Sequence, residues 1–288
     1  MKKLITRLLG NYLNALAVVL PQKAGRKGFY LFCHPFRPPM KSYHREFLDS
    51  SEKFTFAYNN IYIQCYRWGH GEKRVLFLHG WQSHSFRWKN YIQSLPKDEF
   101  TIYSFDAPGH GFSTGSYLSV PFYSEVIQAF FSTYGEFDTV VGHSLGSFSI
   151  IYALYCQPFL PVNKLVVMAP PGEATDFIRF YKDTLGLSDR MMKLTHEYFE
   201  QEFEKPARYF STARFAASIK LPGLIIHDEQ DDETPYQYAQ QINQAWRESG
   251  LVTTRGLGHN LKSPEVINVV LNYIAGKVTG PERNFEYL

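Results

Sequence analysis

The sequence predicts an α/β fold, a mostly parallel eight-stranded sheet with helices on both faces and a helical cap insertion. Three observations carry this. Short apolar runs of the kind buried on both faces recur along the chain, helix-length segments separate them, and one interval is too long for a simple crossover. Two strands come first, Phe54–Tyr58 and Ile61–Trp68, joined by Asn59-Asn60, a pair suited to a tight hairpin turn. Six buried runs follow at Val75–Leu78, Phe100–Phe105, Thr139–Val141, Leu165–Met168, Leu224–Ile226 and, more weakly patterned, Leu251–Thr254. The long interval between Met168 and Leu224 has its own helical patterns at 176–181 and 191–203 and reads as an inserted cap. The expected division is an extension at 1–50, a core made of 51–170 and 222–288, and a cap at 171–221. In an open sheet of this kind, loops at the carboxyl ends of the strands form the site.

Composition narrows the class. With 288 residues, 44% of them hydrophobic and 20% charged, the chain has apolar side chains for a core and charge for a wet surface, which excludes disorder and membrane-spanning segments. The 30 basic and 27 acidic residues give a net charge of +3 without a run long enough to follow a phosphate backbone, so nucleic acid is not an expected partner. Three cysteines, Cys33, Cys65 and Cys156, form no CxxC pair and suggest neither a disulfide framework nor a zinc site; a reducing cytoplasm fits. Aromatic residues make up 17% of the chain, and 12 of them fall between Phe29 and Trp68, which predicts that this upstream segment packs onto the body.

Residues 1–20 open like a secretion signal, but Arg7, Asn11 and Asn14 interrupt the apolar stretch and no small-x-small cleavage site follows. Their apolar positions, Leu4, Ile5, Leu8, Leu9, Tyr12, Leu13, Leu16, Val19 and Leu20, are spaced by three and four, and Pro21 ends the pattern. This amphipathic helix has two readings: packing on its own protein, or lying on a membrane surface. A Gly/Lys/Pro-rich connector is expected at 23–39.

Chemistry concentrates in three places. Gly142-His143-Ser144-Leu145-Gly146 follows the buried run Thr139–Val141 and precedes a helical stretch, so a G-x-S-x-G motif falls on a strand-to-helix turn that lifts the serine hydroxyl above the sheet. A serine needs a base to take its proton and an acid to orient that base. The run Leu224–Ile226 leads into a loop with Asp228, Asp231 and Asp232, and His259 sits between Gly258 and Asn260 before a final helix. Spacing between His227 and Pro235 favours Asp231 as the acid, with Asp232 next and Asp228 last. For the oxyanion, the candidate backbone donors are Leu145, after the nucleophile, and Trp81, after Val75–Leu78. Gly80 would let the backbone approach a substrate closely.

Together these motifs resemble the α/β-hydrolase superfamily. Asp106-Ala-Pro-Gly109-His-Gly111-Phe-Ser113 is similar to that family's loop after the fourth strand, and the stretch from His227 through Asp231 to Pro235 is similar to its acid loop. The resemblance spans roughly 62–274. It implies a Ser144–Asp231–His259 triad, with Ser144 attacking an acyl carbonyl and His259 as base; relatives with an Asp nucleophile, the haloalkane dehalogenases and epoxide hydrolases, are disfavoured. No cofactor and no metal are expected, because the acidic cluster at 228–233 has no second ligand cluster beside it and no GxGxxG or P-loop occurs. Gly80 and His143, with Phe177, Phe180 and Tyr181 of the cap, form the candidate substrate-binding set, and the cap aromatics suggest an apolar ester or acyl substrate. The expected activity is that of a carboxylesterase, cytoplasmic and peripheral to the membrane if residues 1–20 meet lipid. C–C bond hydrolysis, thioester hydrolysis, aminopeptidase or acyltransferase activity, and non-catalytic binding of an apolar ligand, remain open alternatives.

Overall fold

The computed structural model describes residues 2–277. Each expected run is a strand: β1 (Glu52–Tyr58), β2 (Ile61–Trp68), β3 (Lys73–Leu78), β4 (Phe100–Phe105), β5 (Phe137–His143), β6 (Val162–Met168), β7 (Gly223–Asp228) and β8 (Ser249–Thr254). They form one eight-stranded sheet in the order β1-β2-β4-β3-β5-β6-β7-β8. β2 pairs antiparallel with β1 and β4, and the other neighbours run parallel. Asn59 and Asn60 both adopt left-handed backbone, with φ of 45° and 62°, which lets two residues close the β1–β2 hairpin with a twist matching its strands. The parallel strands are buried nearly end to end, β3 through Val75–Leu78 and β7 throughout, as strands covered on both faces must be.

The chain divides into two compact units, residues 35–172 with 212 onward, and residues 1–34 with 173–211. The first unit holds the sheet and the helices α3 (Ser42–Leu48), α4 (Lys89–Ser94), α5 (Val120–Tyr134), α6 (Leu145–Cys156), α9 (Thr212–Ala216), α10 (Tyr236–Ala245) and α11 (Pro264–Ile274). Ser119 and Ser263 cap α5 and α11, their hydroxyls accepting from Phe122 and Val266 N–H at 3.2 and 3.1 Å. The helix after Ser144, α6, is apolar around most of its circumference, consistent with its burial at Phe148, Ile150, Ile151 and Leu154. Because β3 lies between β4 and β5, successive connections leave it in opposite directions, and the cleft for a ligand opens at the carboxyl ends of these strands.

The second unit holds α1 (Lys2–Val19), α2 (Pro21–Phe32), α7 (Ala174–Leu185) and α8 (Asp189–Phe203). Two expectations change here. The stretch expected to be a connector is mostly helix, because Pro21 opens α2 at the first helical position, where its missing N–H has no role. Gly25 and Gly28 read as loop residues by composition, yet they serve close packing. A Cβ on Gly25 would stand 2.6 Å from the Leu194 carbonyl oxygen and one on Gly28 2.3 Å from Met191 Cε, so only glycine brings α2 this near α8. The division also differs: the first 34 residues and the insertion share one unit, whereas residues 35–50 belong with the sheet. Aromatic residues upstream split accordingly. Phe29 packs among Tyr198, Phe199 and Phe203 of α8, whereas Phe47 stacks on Trp68 at 5.5 Å.

Candidate active site

Ser144 stands at the turn between β5 and α6 with φ 51° and ψ −121°, a strained conformation for a residue with a side chain. Its amide donates to the Met168 carbonyl at 2.9 Å, tying the turn to β6. Gly80 is required opposite: a Cβ there would meet Ser144 Cβ at 2.8 Å and the His143 carbonyl oxygen at 3.0 Å. Leu145 begins α6, so its amide is among the helix-terminal N–H groups without an intrahelical acceptor.

The acid loop converges on His259. Asp231 Oδ1 accepts from the amides of Glu233 and Thr234, each at 2.9 Å. Its Oδ2 accepts from Thr234 Oγ1 at 2.8 Å and from His259 Nδ1 at 2.8 Å, with His227 Nε2 at 3.3 Å. Burial alone would raise the Asp231 carboxyl, but hydrogen bonds from His227, His259 and the Thr234 amide outweigh it and hold the group well below the usual carboxylate range. Donation from Nδ1 leaves His259 Nε2 as the imidazole's basic nitrogen.

Two further side chains hold the loop that carries His259. The His143 ring donates from Nε2 to the His259 carbonyl at 2.8 Å. Arg87 donates to the Asn260 carbonyl at 2.8 Å and to Asn260 Oδ1 at 3.3 Å, while its buried Nε has no partner among the described residues. Burial lowers the Arg87 guanidinium to about 10, so it stays charged at neutral pH. Asp228, the least favoured acid from the sequence, has a different job. Its carboxylate is fully buried, and it accepts from Thr254 Oγ1 at 2.7 Å, Leu257 N–H at 2.9 Å and Gln230 N–H at 2.9 Å, clamping the start of both the histidine loop and the acid loop.

The loop after β3 is fixed in the same manner. His79 accepts the Ala107 amide at Nε2 (2.9 Å) and His110 accepts the Gln82 amide at Nε2 (3.0 Å), so each carries its proton on Nδ1. Asp106 accepts from Ser85 N–H, Phe112 N–H and Tyr66 hydroxyl at 2.8, 2.9 and 2.9 Å, joining the β3 and β4 loops. Trp81 therefore lies on a loop pinned on both sides, with its indole edge-on to His110 at 5.6 Å.

A cavity of about 240 Å³ opens here, bounded by Trp81, Arg87, His143, Ser144, Glu233, His259 and Asn260. Glu233 Oε2 stands 3.8 Å from His259 Nε2. Ser144 and His259 face the same space, and among the described residues no hydrogen bond is made by the Ser144 hydroxyl. A larger, more open depression lies beside Trp68 and His70.

Of the residues singled out in the sequence, Ser144, His259, Asp231, Trp81, Leu145, Gly80 and His143 lie in the sheet unit. Phe177, Phe180 and Tyr181 lie on α7 in the helical unit. There Tyr181 is engaged in packing, its hydroxyl donating to the Gly28 carbonyl at 3.0 Å and its ring meeting Phe32 at 5.5 Å, and the Phe180 side chain is exposed. The expected apolar lining is not what the sheet unit provides, because charged and polar side chains dominate around Ser144. Thr234, Arg87 and Asn260 carry no spacing signature in the sequence that would mark them as part of the site. No cluster of three or more metal-ligating residues occurs among the described residues.

A sheet of this order with a strained serine after β5 and an Asp–His pair after β7 and β8 defines an α/β hydrolase. Residues 75–267 match the model of the alpha/beta hydrolase family, and the chain belongs to that family. It is 22% identical over 236 residues to the AB hydrolase superfamily protein YisY of Bacillus subtilis (strain 168), covering 66% of this chain and 86% of that protein. It is 30% identical over 151 residues to the pimeloyl-[acyl-carrier protein] methyl ester esterase of Nitrosomonas europaea, covering 52% of this chain and 56% of that one. Among solved structures, the monoacylglycerol lipase of Paleococcus ferrophilus superposes with a TM-score of 0.58 at 18% identity over 75% of this chain and 99% of that chain, a likeness of fold.

Proposed function

We propose that this hydrolase cleaves carboxylic esters through an acyl-enzyme on Ser144. The observation that carries the reading is the 2.8 Å contact from His259 Nδ1 to Asp231, in a cavity that His259 shares with Ser144. His259 Nε2 takes the Ser144 proton as Oγ attacks the ester carbonyl, and the Trp81 and Leu145 amides receive the oxyanion. Collapse of the tetrahedral intermediate breaks the C–O bond, and the alcohol leaves with the proton from His259. Water, deprotonated by the same nitrogen, then releases the acid and restores Ser144.

A relative named as a methyl ester esterase supports an ester substrate. Arg87, Glu233 and Asn260 at the cavity wall favour a substrate with polar groups near the scissile bond rather than a wholly apolar one. The test is labelling by a fluorophosphonate probe together with turnover of a panel of p-nitrophenyl esters, a thioester and an aminoacyl amide. Labelling that Ser144→Ala abolishes, with turnover greatest on esters, is expected. Undiminished labelling of that variant overturns the nucleophile, and faster cleavage of the thioester or amide overturns the substrate class.

A further inference from the structure

We infer that α1 docks the protein onto the surface of an anionic phospholipid bilayer. The rotation of this helix is fixed by the contacts of its other side. A Cβ on Gly10 would stand 1.8 Å from the Leu185 carbonyl oxygen, so the helix backbone lies directly against the end of α7. Asn14 donates to the Gly186 carbonyl at 3.0 Å and accepts from the Ser188 amide at 2.8 Å, while Arg190 donates to the Ala17 carbonyl at 2.9 Å. Leu13 and Ala17 are buried on this side.

Most of the apolar stripe read from the sequence therefore points outward, with Leu9 and Leu16 half-buried at its edge and Leu13 turned inward. At about 100° per residue, Leu4, Ile5, Leu8, Tyr12 and Val19 fall within about 100° of arc, and Gly10, Leu13 and Ala17 lie on the far side. Leu4, Ile5, Leu8 and Val19 are 63%, 62%, 60% and 74% exposed. Among the described residues, seven of the fourteen exposed large hydrophobic side chains lie between positions 4 and 20. Scattered apolar side chains need no explanation, whereas a continuous stripe on one helix does.

Charge identifies the occupant. The first 45 residues hold nine Lys and Arg and no Asp or Glu, whereas the rest of the chain holds 21 basic against 27 acidic. Exposed Arg7 lies on α1 itself, and Lys23, Arg26 and Lys27 are exposed on α2. Lys27 reaches the stripe directly, donating to the Tyr12 hydroxyl at 2.7 Å. An apolar face rimmed by basic side chains, in a stretch of sequence without a carboxylate side chain, suits acyl chains beneath anionic headgroups. No helix among the described residues is long and apolar enough to cross a membrane, so α1 lies in the interface plane.

The experiment is co-sedimentation of the full chain with vesicles of phosphatidylcholine alone or mixed with phosphatidylglycerol, for the wild type and for a Leu4→Ser, Leu8→Ser, Val19→Ser variant. Binding to the anionic vesicles is expected, weakened about tenfold or more on neutral vesicles, in high salt and in the variant. The three substituted side chains are exposed, so circular dichroism and hydrolysis of a water-soluble ester should be unchanged. Failure to bind anionic vesicles, or equal binding by the variant, overturns the proposal. So does a dimer by light scattering that the variant dissociates, because the stripe would then cover a second copy.

Discussion

The His143 ring donates to the backbone carbonyl of His259 at 2.8 Å, so the residue immediately before Ser144 holds the loop that carries His259. The two rings stand edge to face at 5.0 Å. Burial lowers the His143 imidazole well below its ordinary range, which keeps it neutral with its proton available for this bond. Removing the bond frees the histidine loop without touching Ser144 or Asp231. His143→Ala is expected to lower kcat by about 10- to 100-fold with little change in KM, the scale of a misplaced catalytic group. An amide donor, in His143→Gln, should restore part of the loss. Unchanged steady-state kinetics in the alanine variant would show that the loop needs no such tether.

Which aspartate serves as acid is decided by comparing two neighbours. Asp231→Asn removes the charge that holds His259 in its productive tautomer and is expected to lower kcat by about 10⁴-fold while leaving the fold intact. Asp232→Asn, at an exposed position, should leave activity near wild type. Because Asp231 is held below the usual carboxylate range, it stays ionised in mild acid and does not set the acid limb of the activity profile. Equal losses in the two variants would reject the assignment.

Much of this arrangement was legible in the sequence because it sits at strand ends. The buried runs fixed the strands, and the glycines around Ser144 and the chain order of Ser, Asp and His identified the nucleophile, acid and base candidates. Three things were not legible. Asp228 looked like a poor copy of Asp231, since only the fold shows that its carboxylate collects Thr254, Leu257 and Gln230. Arg87 carries no motif, because its partner Asn260 is remote in sequence and the pair meets only after the sheet forms. The apolar periodicity of α1 gave the helix but not its rotation. A stripe of large residues normally marks the buried side, and here Gly10, Leu13, Asn14 and Ala17 take that role while most of the stripe is exposed.

Asp228 yields a stability prediction rather than a catalytic one. Asp228→Ala strands the buried Thr254 hydroxyl and removes the acceptor of the part-buried Leu257 and Gln230 amides, a buried group left unpaired being worth about 1–3 kcal/mol. A loss of about 3 kcal/mol or more in chemical denaturation is expected, with activity falling in proportion to unfolding of the histidine loop. Asp228→Asn keeps an acceptor oxygen and should lose less. A loss below about 1 kcal/mol in the alanine variant would mean that water satisfies these donors.

Acid should destabilise the fold earlier than carboxylate titration alone would. Burial lowers His79 and His110 to about 3, and both are neutral acceptors for the Ala107 and Gln82 amides. In the unfolded chain the same rings take up protons near pH 6.5. Between about 6.5 and 3 the unfolded state therefore binds more protons, and stability falls with pH by up to about 1.4 kcal/mol per unit for each ring. Above about 6.5 neither ring contributes a slope. Asp231 and Asp228, held low in the folded state, contribute stability above about pH 4 that disappears only on further acidification. Thermal unfolding at pH 7.5, 6 and 5 should show Tm flat at first and then falling, and His110→Asn should flatten the lower part of the curve. A Tm constant from pH 7.5 to 5 would show that these histidines are protonated in the folded protein at ordinary values.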